Sequence, residues 1–296
     1  MNILVTGANG QLGNELRCLA AQSSQHFVFT DVNEFPGRET TYLDITNQEA
    51  VGIIADSEKI DVIVNCAAYT NVDKAEDDVE TAQLLNATAP GNLARVAAAR
   101  GACLIHISTD YVFPGSACKP IAEGEIPAPA SVYGSTKLAG EKAVRDSGCR
   151  SIILRTAWLY SPFGTNFVRK MLRLTSVNKT VKVVCDQVGT PTYARDLASL
   201  IMKIIDENML DRCGIYHFSD EGAISWYDFA KAIAEIGGTS AEVVPCATGE
   251  FPAKADRPSY SVLDKTLVKK TFETVIPYWK DSLRDCITRL KENGEI

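Results

Sequence analysis

Long apolar segments are missing from this sequence of 296 residues, because no window approaches the run of about 18 apolar residues that a membrane helix needs. The N terminus also lacks the basic region and the apolar stretch of a secretory signal. Basic residues are in the minority, with 30 Lys and Arg against 37 Asp and Glu, and no basic stretch offsets the net charge of -7. These absences predict a cytoplasmic protein that binds neither membrane nor nucleic acid.

Cys-x-x-Cys pairs are absent as well, although the chain has nine cysteines. Their number is odd, they are spread evenly, and they form no Cys/His cluster with the spacing of metal ligands. This pattern predicts reduced cysteines in a reducing compartment, and it argues against a disulfide framework or a zinc site.

Short apolar runs rich in β-branched residues alternate with longer stretches whose apolar residues recur every three or four positions. Such alternation predicts an α/β protein of the Rossmann type, with a doubly wound parallel sheet covered by helices on both faces. The predicted strands are 2–6, 26–31, 61–67, 102–108, 151–156 and 181–185. The predicted helices are 11–22, 47–57, 75–100, 133–147, 166–174, 194–207, 225–236 and 278–292.

Three glycines at three-residue spacing, Gly7, Gly10 and Gly13, separate the first predicted strand from the first helix. Such a turn lets the backbone approach a pyrophosphate at the helix N-terminus, and the flanking strand and helix favour this reading over ordinary loop glycines. Asp31 ends the second strand, where a carboxylate would bind the adenosine ribose and favour NADH over NADPH. Two alternatives stay open. A basic side chain such as Arg38 could compensate for the charge of Asp31 and allow NADPH to bind, or Asp31 could be an ordinary turn residue with no cofactor contact.

The regular alternation of predicted strands and helices becomes less regular after about residue 160. We therefore predict a dinucleotide-binding domain over 1–160, to which segments near 186–200 and 225–240 return, and a smaller α/β substrate-binding lobe made mainly of 161–296. One long connection, 114–131, contains four prolines and two glycines. A structureless loop of that length predicts a functional segment.

Tyr133 and Lys137 are four residues apart, so they share one face of the predicted helix. An ammonium beside a phenol favours the ionised form, and this predicts a lowered pKa and proton exchange with a carbonyl or hydroxyl oxygen. Thr109 ends the strand at 102–108, on the edge of the sheet where ligands bind, and its hydroxyl would reach the same oxygen. An ordinary surface pair is the alternative, which the dinucleotide turn makes the weaker interpretation.

Eight motifs follow in order along nearly the whole chain: TGANGQLG, VNCAAYTNVDKAE, LLNATAP, STDYVF, YGSTKLAGE, RTAWLY, DQVGTPT and RPSYSVLD. Together they resemble the extended short-chain dehydrogenase/reductases, and most closely the dTDP-4-dehydrorhamnose reductases. The resemblance implies reduction of the C4 keto group of dTDP-4-dehydro-6-deoxy-L-mannose to dTDP-L-rhamnose, with NADPH or NADH as the hydride donor. Tyr133 would donate the proton, Lys137 would bind the nicotinamide ribose and lower the pKa of Tyr133, and Thr109 would orient the carbonyl.

The same resemblance implies which residues bind the cofactor and the substrate. It also implies that Asn86 belongs to a helix that supports the active site. An aromatic side chain at Trp158 would pack against the deoxysugar, and donors or cations would meet the diphosphate. The implied cofactor contacts are Gly7, Asn9, Gly10, Gln11, Leu12, Gly13, Asp31, Asp44, Ile45, Ala67, Ala68, Tyr69, Tyr133 and Lys137. The implied substrate contacts are Thr109, Tyr111, Trp158, Asn166, Lys170 and Arg257, each of which has a plain core or surface role as its alternative.

Some members of this family dimerise through Mg²⁺ held by glutamates, and Glu15 stands at one such position. At the other position the chain has Arg195 followed by Asp196, and an arginine would repel the cation. Glu15 is therefore a weak candidate ligand, the Mg²⁺ site is not carried over, and a homodimer is left open.

Four other functions are weighed against this reductase. The 4,6-dehydratases of this superfamily carry Thr-Asp-Glu at the strand end, whereas this chain has Tyr111 after Thr109 and Asp110, so dehydration is disfavoured. A nucleotide-sugar epimerase, or a reductase of another keto sugar, stays open. A non-catalytic NADP-binding regulatory subunit, like the beta subunit of methionine adenosyltransferase, also stays open, although the chain keeps all three catalytic residues.

Overall fold

The computed structural model describes residues 1–35, 37–251 and 253–296. Its centre is a seven-stranded sheet in the order β11-β6-β5-β4-β1-β2-β3, and all neighbouring strands in it are parallel. The strands are β1 Asn2–Thr6, β2 His26–Asp31, β3 Thr41–Tyr42, β4 Val62–Asn65, β5 Cys103–Thr109, β6 Arg150–Thr156, β7 Leu159–Tyr160, β8 Thr180–Val184, β9 Val188–Gly189, β10 Thr192–Tyr193, β11 Gly214–His217, β12 Ile224–Ser225 and β13 Glu242–Cys246.

Helices cover both faces of the central sheet, as its buried apolar strands require. They are α1 Gln11–Ala20, α2 Gln48–Ser57, α3 Val72–Ala75, α4 Val79–Gln83, α5 Ala89–Arg100, α6 Val132–Asp146, α7 Phe167–Val177, α8 Ala194–Asp206, α9 Trp226–Gly237, α10 Thr266–Phe272 and α11 Trp279–Glu292, with a π-helical turn at Leu84–Thr88 and 3₁₀ turns at Asp110–Val112 and Thr248–Glu250. Within the three described ranges, no helix is both long enough and apolar enough to cross a membrane.

The two faces of β1 pack into two separate apolar cores, because successive side chains of a strand point to opposite sides. Ile3 and Val5 pack with apolar residues of α1, α8 and α10. Leu4 packs with apolar residues of α2, α5 and α6. The predicted doubly wound α/β fold is confirmed by this arrangement.

A third apolar core lies between α7, α9 and α11 and includes buried residues of β8, β10 and β13. Helix α8 packs with α1 in the first core instead. The boundary at residue 160 and the returning segments near 186–200 and 225–240 stay predictions, although α9 belongs to the third core.

The predicted strand at 181–185 is present as β8, but it pairs with β13 outside the central sheet. Its burial alternates, with Val181 and Val183 buried and Lys182 exposed. That pattern belongs to a strand with one solvated face, whereas strands at the centre of a doubly wound sheet are apolar on both faces. The strands β11 and β13 and the helix α10 were not predicted.

The helix predicted over 75–100 is interrupted by the π-helical turn. Pro90 follows this turn, and its ring nitrogen has no hydrogen to donate to the carbonyl of Asn86. The loss of one helical hydrogen bond favours a locally wider turn, and such turns often mark functional positions. Periodicity alone did not reveal the interruption.

Candidate active site

The glycine turn after β1 leaves no room for side chains. Gly7 has a φ of +63°, and a Cβ there would lie 2.6 Å from the backbone nitrogen of Ala67. A Cβ on Gly13 would lie 2.5 Å from the Cα of Ala8. Gly10 precedes α1 and provides no side-chain cap, so the first amides of the helix, from Gln11 onward, are available to an anion. The turn therefore fits the pyrophosphate of a dinucleotide.

Asp31 lies beside this turn and is 9% exposed. Its Oδ2 accepts a hydrogen bond of 3.0 Å from the backbone N–H of Asn9, and its Oδ1 accepts one of 2.9 Å from the N–H of Asn33. Asp31 thus holds the turn in place, as the simpler interpretation proposed. Because a carboxylate has about four acceptor positions, these bonds leave capacity for ribose hydroxyls.

Asp44 and Ile45 follow β3, at the same edge of the sheet as Asp31. The Oδ1 of Asp44 accepts from the backbone N–H and the hydroxyl of Thr46, at 2.9 and 2.7 Å. Ile45 is buried in the apolar core under α2 and α5. This short segment is therefore locally braced where an adenosine would lie.

Ala67, Ala68 and Tyr69 follow β4 and are half-buried. Asn86, in the π-helical turn, accepts from the N–H of Tyr69 at 2.9 Å and donates to its carbonyl at 3.1 Å. The Asn86 amide also lies 3.2 Å from the hydroxyl of Thr136 on α6. Asn86 therefore ties the expected cofactor path to the helix that carries Tyr133 and Lys137.

Helix α6 presents the predicted catalytic pair beside the end of β5. Its N-cap Ser131 accepts from the N–H of Gly134 at 3.1 Å, which begins the helix one residue before Tyr133. Thr109 is the last residue of β5, and its side chain is close enough to Tyr133 to favour the ionised form of that phenol. Lys137 donates from Nζ to the carbonyl of Ile107 at 2.6 Å. The three predicted catalytic residues are thus brought together at one strand end.

The pKa of Tyr133 is raised, opposite to the direction that we expected, because burial disfavours the phenolate more than the Thr109 hydrogen bond favours it. Burial also lowers the pKa of Lys137 to about 8, against the attraction of Glu141. The expectation that the ammonium sets the pKa of Tyr133 is therefore wrong for this structure. A phenol that keeps its proton at neutral pH is nevertheless suited to donate it.

A buried ionic group lies one helical turn beyond Lys137. Glu141 accepts from the guanidinium of Arg155 at 2.8 and 2.7 Å, and from the hydroxyl of Ser108 at 2.5 Å. Ser108 immediately precedes Thr109. The bonds of Glu141 therefore join α6, β5 and β6 directly behind the catalytic residues.

A cavity of about 40 Å³ lies near Tyr133, between the loop that follows β5 and the segment near residue 257, although Tyr133 does not line it. The Tyr111 ring meets the Tyr133 ring edge-on at 5.5 Å between centroids, and the Arg257 guanidinium lies near the Tyr111 hydroxyl. Arg257 also donates to Asp73 at 2.7 Å, so this cation is held toward the cavity by an acidic residue of α3. The sequence analysis missed Asp73, although it lies in the motif VNCAAYTNVDKAE. The lining residues are Tyr111, Phe113, Pro114, Ala130, Ser131, Asp256, Arg257 and Pro258.

Asp110 is a second residue that the sequence analysis did not single out as functional. It is 2% exposed, accepts from the Thr109 hydroxyl at 2.9 Å through Oδ1, and lies near Ser261, while its Oδ2 has no hydrogen-bond partner among the described residues. Burial raises its pKa to about 6 in spite of these bonds. Asp110 thereby fixes the rotamer of Thr109 and connects it to the segment that carries Arg257.

Trp158 adopts a left-handed backbone conformation with a φ of +49°, which is strained for an aromatic residue. Its ring stacks on Trp226 at 3.6 Å between centroids. A Cβ on Gly189 would come within 2.7 Å of the Trp158 ring. Both neighbours therefore fix the ring of Trp158, and Trp226 is a partner that the sequence did not reveal.

Asn166 and Lys170 lie at the start of α7, and neither belongs to the lining of the cavity described above. The Asn166 amide donates to the side-chain oxygen of Gln11 at 3.0 Å and to the carbonyl of Ser161 at 2.8 Å. Asn166 thus connects α7 to the phosphate turn. Lys170 is exposed on the helix surface.

Glu15, the candidate Mg²⁺ ligand, has a fully buried side chain between two arginines. Its Oε1 lies 2.7 Å from Arg289, and its Oε2 lies 3.6 Å from Arg195. Within the part of the chain that the structure describes, no three His, Cys, Asp or Glu side chains form a group that could hold a metal ion. The residues around Glu15 do not fit a divalent cation, since arginines already neutralise the carboxylate.

Comparison with known proteins is consistent with this geometry. Residues 1–292 match the family model described as the RmlD substrate binding domain. The dTDP-4-dehydrorhamnose reductase of Aggregatibacter actinomycetemcomitans is 39% identical over 293 residues, which cover 96% of this chain and 97% of the relative.

Two solved structures are similar over nearly the whole chain. The crystal structure of a dTDP-4-dehydrorhamnose reductase from Clostridium acetobutylicum has a TM-score of 0.92 at 44% identity and covers 98% of this chain and 100% of its own. The Bacillus anthracis dTDP-4-dehydrorhamnose reductase, solved in complex with NADP, has a TM-score of 0.89 at 36% identity, with coverage of 97% and 99%.

Proposed function

The chain belongs to the dTDP-4-dehydrorhamnose reductase family, and we propose that it reduces the C4 keto group of dTDP-4-dehydro-6-deoxy-L-mannose to dTDP-L-rhamnose, the last step of dTDP-rhamnose biosynthesis. It is an oxidoreductase that uses NADPH or NADH. The substrate is a dTDP-linked sugar.

The observation that carries this proposal is the meeting of Thr109, Tyr133 and Lys137 at the end of β5. The Thr109 side chain lies close to Tyr133, and the buried Lys137 is held one helical turn along α6. The glycine turn after β1 lies at the same edge of the parallel sheet, where open α/β sheets bind their ligands. A dinucleotide and a carbonyl substrate can therefore meet between them.

The nicotinamide cofactor, when bound, supplies the hydride for C4 of the sugar. Tyr133 donates its proton to the O4 oxygen as negative charge develops there, and its raised pKa keeps that proton in place beforehand. The Thr109 hydroxyl, which donates to Asp110 in this structure, would turn its hydrogen toward the same oxygen and so orient the carbonyl. Lys137, which is held on α6 by its bond to the carbonyl of Ile107, would provide a positive charge for the ribose of the bound cofactor.

The remaining assignments follow from position. The turn residues, including Asn9 and Leu12, are proposed to bind the pyrophosphate, and Asp31, Asp44 and Ile45 the adenosine. Tyr111 and Arg257 are proposed to bind the substrate, since both line the cavity beside Tyr133 and the guanidinium suits a diphosphate. Trp158, Asn166 and Lys170 stay proposals as substrate contacts. In this structure Trp158 is stacked on Trp226, Asn166 is bonded to Gln11, and Lys170 is exposed.

The test is the oxidation of NADPH and of NADH with the 4-keto sugar nucleotide, for the wild type, Tyr133→Phe and the control Tyr278→Phe. Tyr278 is half-exposed and lies at the start of α11. We expect Tyr133→Phe to lose about 10²-fold or more in kcat, the usual contribution of a general acid, while the control keeps its activity. Cofactor binding without turnover in the wild type would contradict the reductase and favour the regulatory subunit, whereas conversion to an epimer without net oxidation would favour the epimerase.

We propose a cytoplasmic location, which the odd number and even spread of the nine cysteines support. For the assembly we propose a homodimer without a bridging Mg²⁺, because Glu15 is occupied by Arg289 and Arg195. Light scattering coupled to size-exclusion chromatography measures that assembly directly.

A further inference from the structure

His217, the last residue of β11, joins the central sheet to the long loop over 114–131. Its side chain is completely buried. The Nδ1 atom lies 3.0 Å from the carbonyl of Ile121, and Nε2 lies 3.5 Å from Nη1 of Arg155. The backbone N–H of His217 donates to Oε1 of Glu123 at 3.0 Å. One residue therefore bonds to the loop twice and to the ionic group behind the catalytic residues once.

The partners of His217 determine which ring nitrogen carries the proton. A guanidinium has no acceptor, so Nε2 must accept from Arg155. A carbonyl has no donor, so Nδ1 must carry the hydrogen that it donates to Ile121. Burial and the neighbouring Arg155 lower the pKa of His217 to about 3, which keeps the ring neutral and preserves this tautomer.

One direction from His217 leads to the catalytic residues. Arg155 holds both oxygens of Glu141, which in turn accepts from Ser108 beside Thr109. The guanidinium also lies over the ring of Phe113, at 5.0 Å from the ring centre. Movement of Arg155 would therefore be transmitted to the end of β5.

The other direction leads to the cavity. The N–H of Ile121 donates to the carbonyl of Val262 at 2.9 Å, and the carbonyl of Ile121 accepts from the N–H of Asp264 at 2.8 Å. The loop is thus paired with the segment that follows Arg257. At the loop start, a Cβ on Gly115 would come within 2.6 Å of the Cα of Pro258, so this contact is also close.

We propose that His217 is a positioning residue that couples the substrate-binding loop to the catalytic centre, through Ile121 on one side and Arg155 on the other. The proposal rests on the proposed function for the identity of the substrate. His217 itself touches neither the substrate cavity nor the reacting atoms. Its role is to keep the loop, and with it Arg257, in register with Thr109 and Tyr133.

Two substitutions separate the two bonds of the ring. His217→Asn places an amide N–H near the position of Nδ1, so it keeps the bond to Ile121 and leaves Arg155 without its acceptor. His217→Gln reaches farther and places an amide oxygen near the position of Nε2, so it keeps the bond to Arg155 and releases the loop. Because each variant keeps one bond, the pair distinguishes coupling from general loss of packing.

We expect His217→Gln to raise KM for the sugar nucleotide about tenfold with kcat nearly unchanged, and His217→Asn to lower kcat about tenfold with KM nearly unchanged, since one hydrogen bond is worth roughly that factor. KM for NADPH should not change in either variant. A lower kcat, a higher KM and a lower Tm in both variants would indicate general loss of packing and would overturn the proposal. No effect in either variant would overturn it as well.

Calorimetric titration with dTDP gives a readout that needs no turnover. His217→Gln should weaken dTDP binding about tenfold, whereas His217→Asn should bind like the wild type. If the wild type binds dTDP but reduces no sugar, the proposed function fails while this difference still decides the coupling. Glu123→Ala removes the bond from the loop to the backbone N–H of His217 without changing β11, so it should also weaken dTDP binding. Unchanged affinity for dTDP in both Glu123→Ala and His217→Gln would contradict the proposal.

Discussion

Arg155 and Glu141 form a two-pronged ion pair at 2.8 and 2.7 Å, and each side chain is 2% exposed. Lys137 is equally buried one turn away on the same helix. Arg155 is thus paired with Glu141, and Lys137 lies near enough for the same carboxylate to raise its pKa against the effect of burial. Such an arrangement is stable when every partner is present, and it is costly when one is removed.

The first prediction concerns this pair. Glu141→Leu leaves the Arg155 charge buried and unpaired, so the free energy of unfolding should fall by about 3–5 kcal/mol in urea denaturation. The double variant Glu141→Leu with Arg155→Met removes both charges and should lose much less. As a control, Lys203→Ala breaks the surface pair of α8 with Glu207 at 2.6 Å and should change stability by about 0.5 kcal/mol or less. Equal losses for the single and double variants would refute the burial argument.

The second prediction concerns the alkaline limit of activity. Burial lowers the pKa of Lys137 to about 8, so this side chain loses its charge as the pH rises through that value. The cation beside the ribose disappears with it, and kcat/KM for reduction should decline above about pH 8. Lys137→Arg keeps its charge to much higher pH and should move the decline upward, at some cost in maximal rate. A decline at the same pH in both proteins would assign it to another group.

The same ionisation affects stability with a definite sign. In the unfolded chain the pKa of Lys137 returns toward 10.5, so between about pH 8 and 10.5 the unfolded state binds more protons than the folded state. Stability from this group therefore rises with pH across that interval. Lys137→Met should remove this contribution, which urea unfolding at pH 8 and pH 10 measures.

The third prediction concerns the choice between NADPH and NADH. Arg38 is exposed in the loop after β2. Burial lowers the pKa of the Arg17 guanidinium, and the nearby charge of Arg38 lowers it further. Arg17 is fixed by donation to the carbonyl of Glu39 and the hydroxyl of Thr40, at 2.6 and 3.0 Å. A dianionic 2′-phosphate near the ribose would be attracted by both arginines.

Arg38→Gln should therefore raise KM for NADPH about three- to fivefold and leave KM for NADH within about 1.5-fold, since an exposed ion pair contributes up to about 1 kcal/mol. NADH serves as the internal control, since it lacks the phosphate. Calorimetry with 2′,5′-ADP and with 5′-AMP should give the same contrast without catalysis. Equal effects on both cofactors would show that Arg38 acts on the turn and not on the phosphate.

Much of the fold is readable from the sequence because central parallel strands are continuous apolar runs. The predicted strands at 2–6 and 26–31 coincide with β1 and β2, and the helix at 133–147 differs from α6 by one residue at each end. The sequence did not predict those elements whose secondary structure depends on contacts with distant segments. The residues 214–217 carry no long apolar run, and they become β11 because they pair with β6.

In the candidate site, too, features that lie within one segment could be predicted, whereas contacts between distant segments could not. The glycine turn and the pair Tyr133 and Lys137 depend on spacing within one segment, so sequence alone could identify them. The Asp73 partner of Arg257 comes from a segment 184 positions away, and the stacking of Trp226 on Trp158 joins the start of α9 to the connection between β6 and β7. Neither contact leaves a local pattern. The raised pKa of Tyr133 likewise depends on burial, which spacing does not report.

The fourth prediction concerns metal removal. Glu15 is neutralised by Arg289 at 2.7 Å and Arg195 at 3.6 Å, and a divalent cation brought to this carboxylate would be repelled by both guanidinium groups. Dialysis against EDTA should therefore leave kcat, KM and the assembly measured by light scattering unchanged. Glu15→Gln should instead reduce stability, because it leaves two partly buried arginines without their shared anion. Loss of activity on chelation, with recovery on adding Mg²⁺ but not NaCl of equal ionic strength, would contradict this account and return Glu15 to the role of a metal ligand.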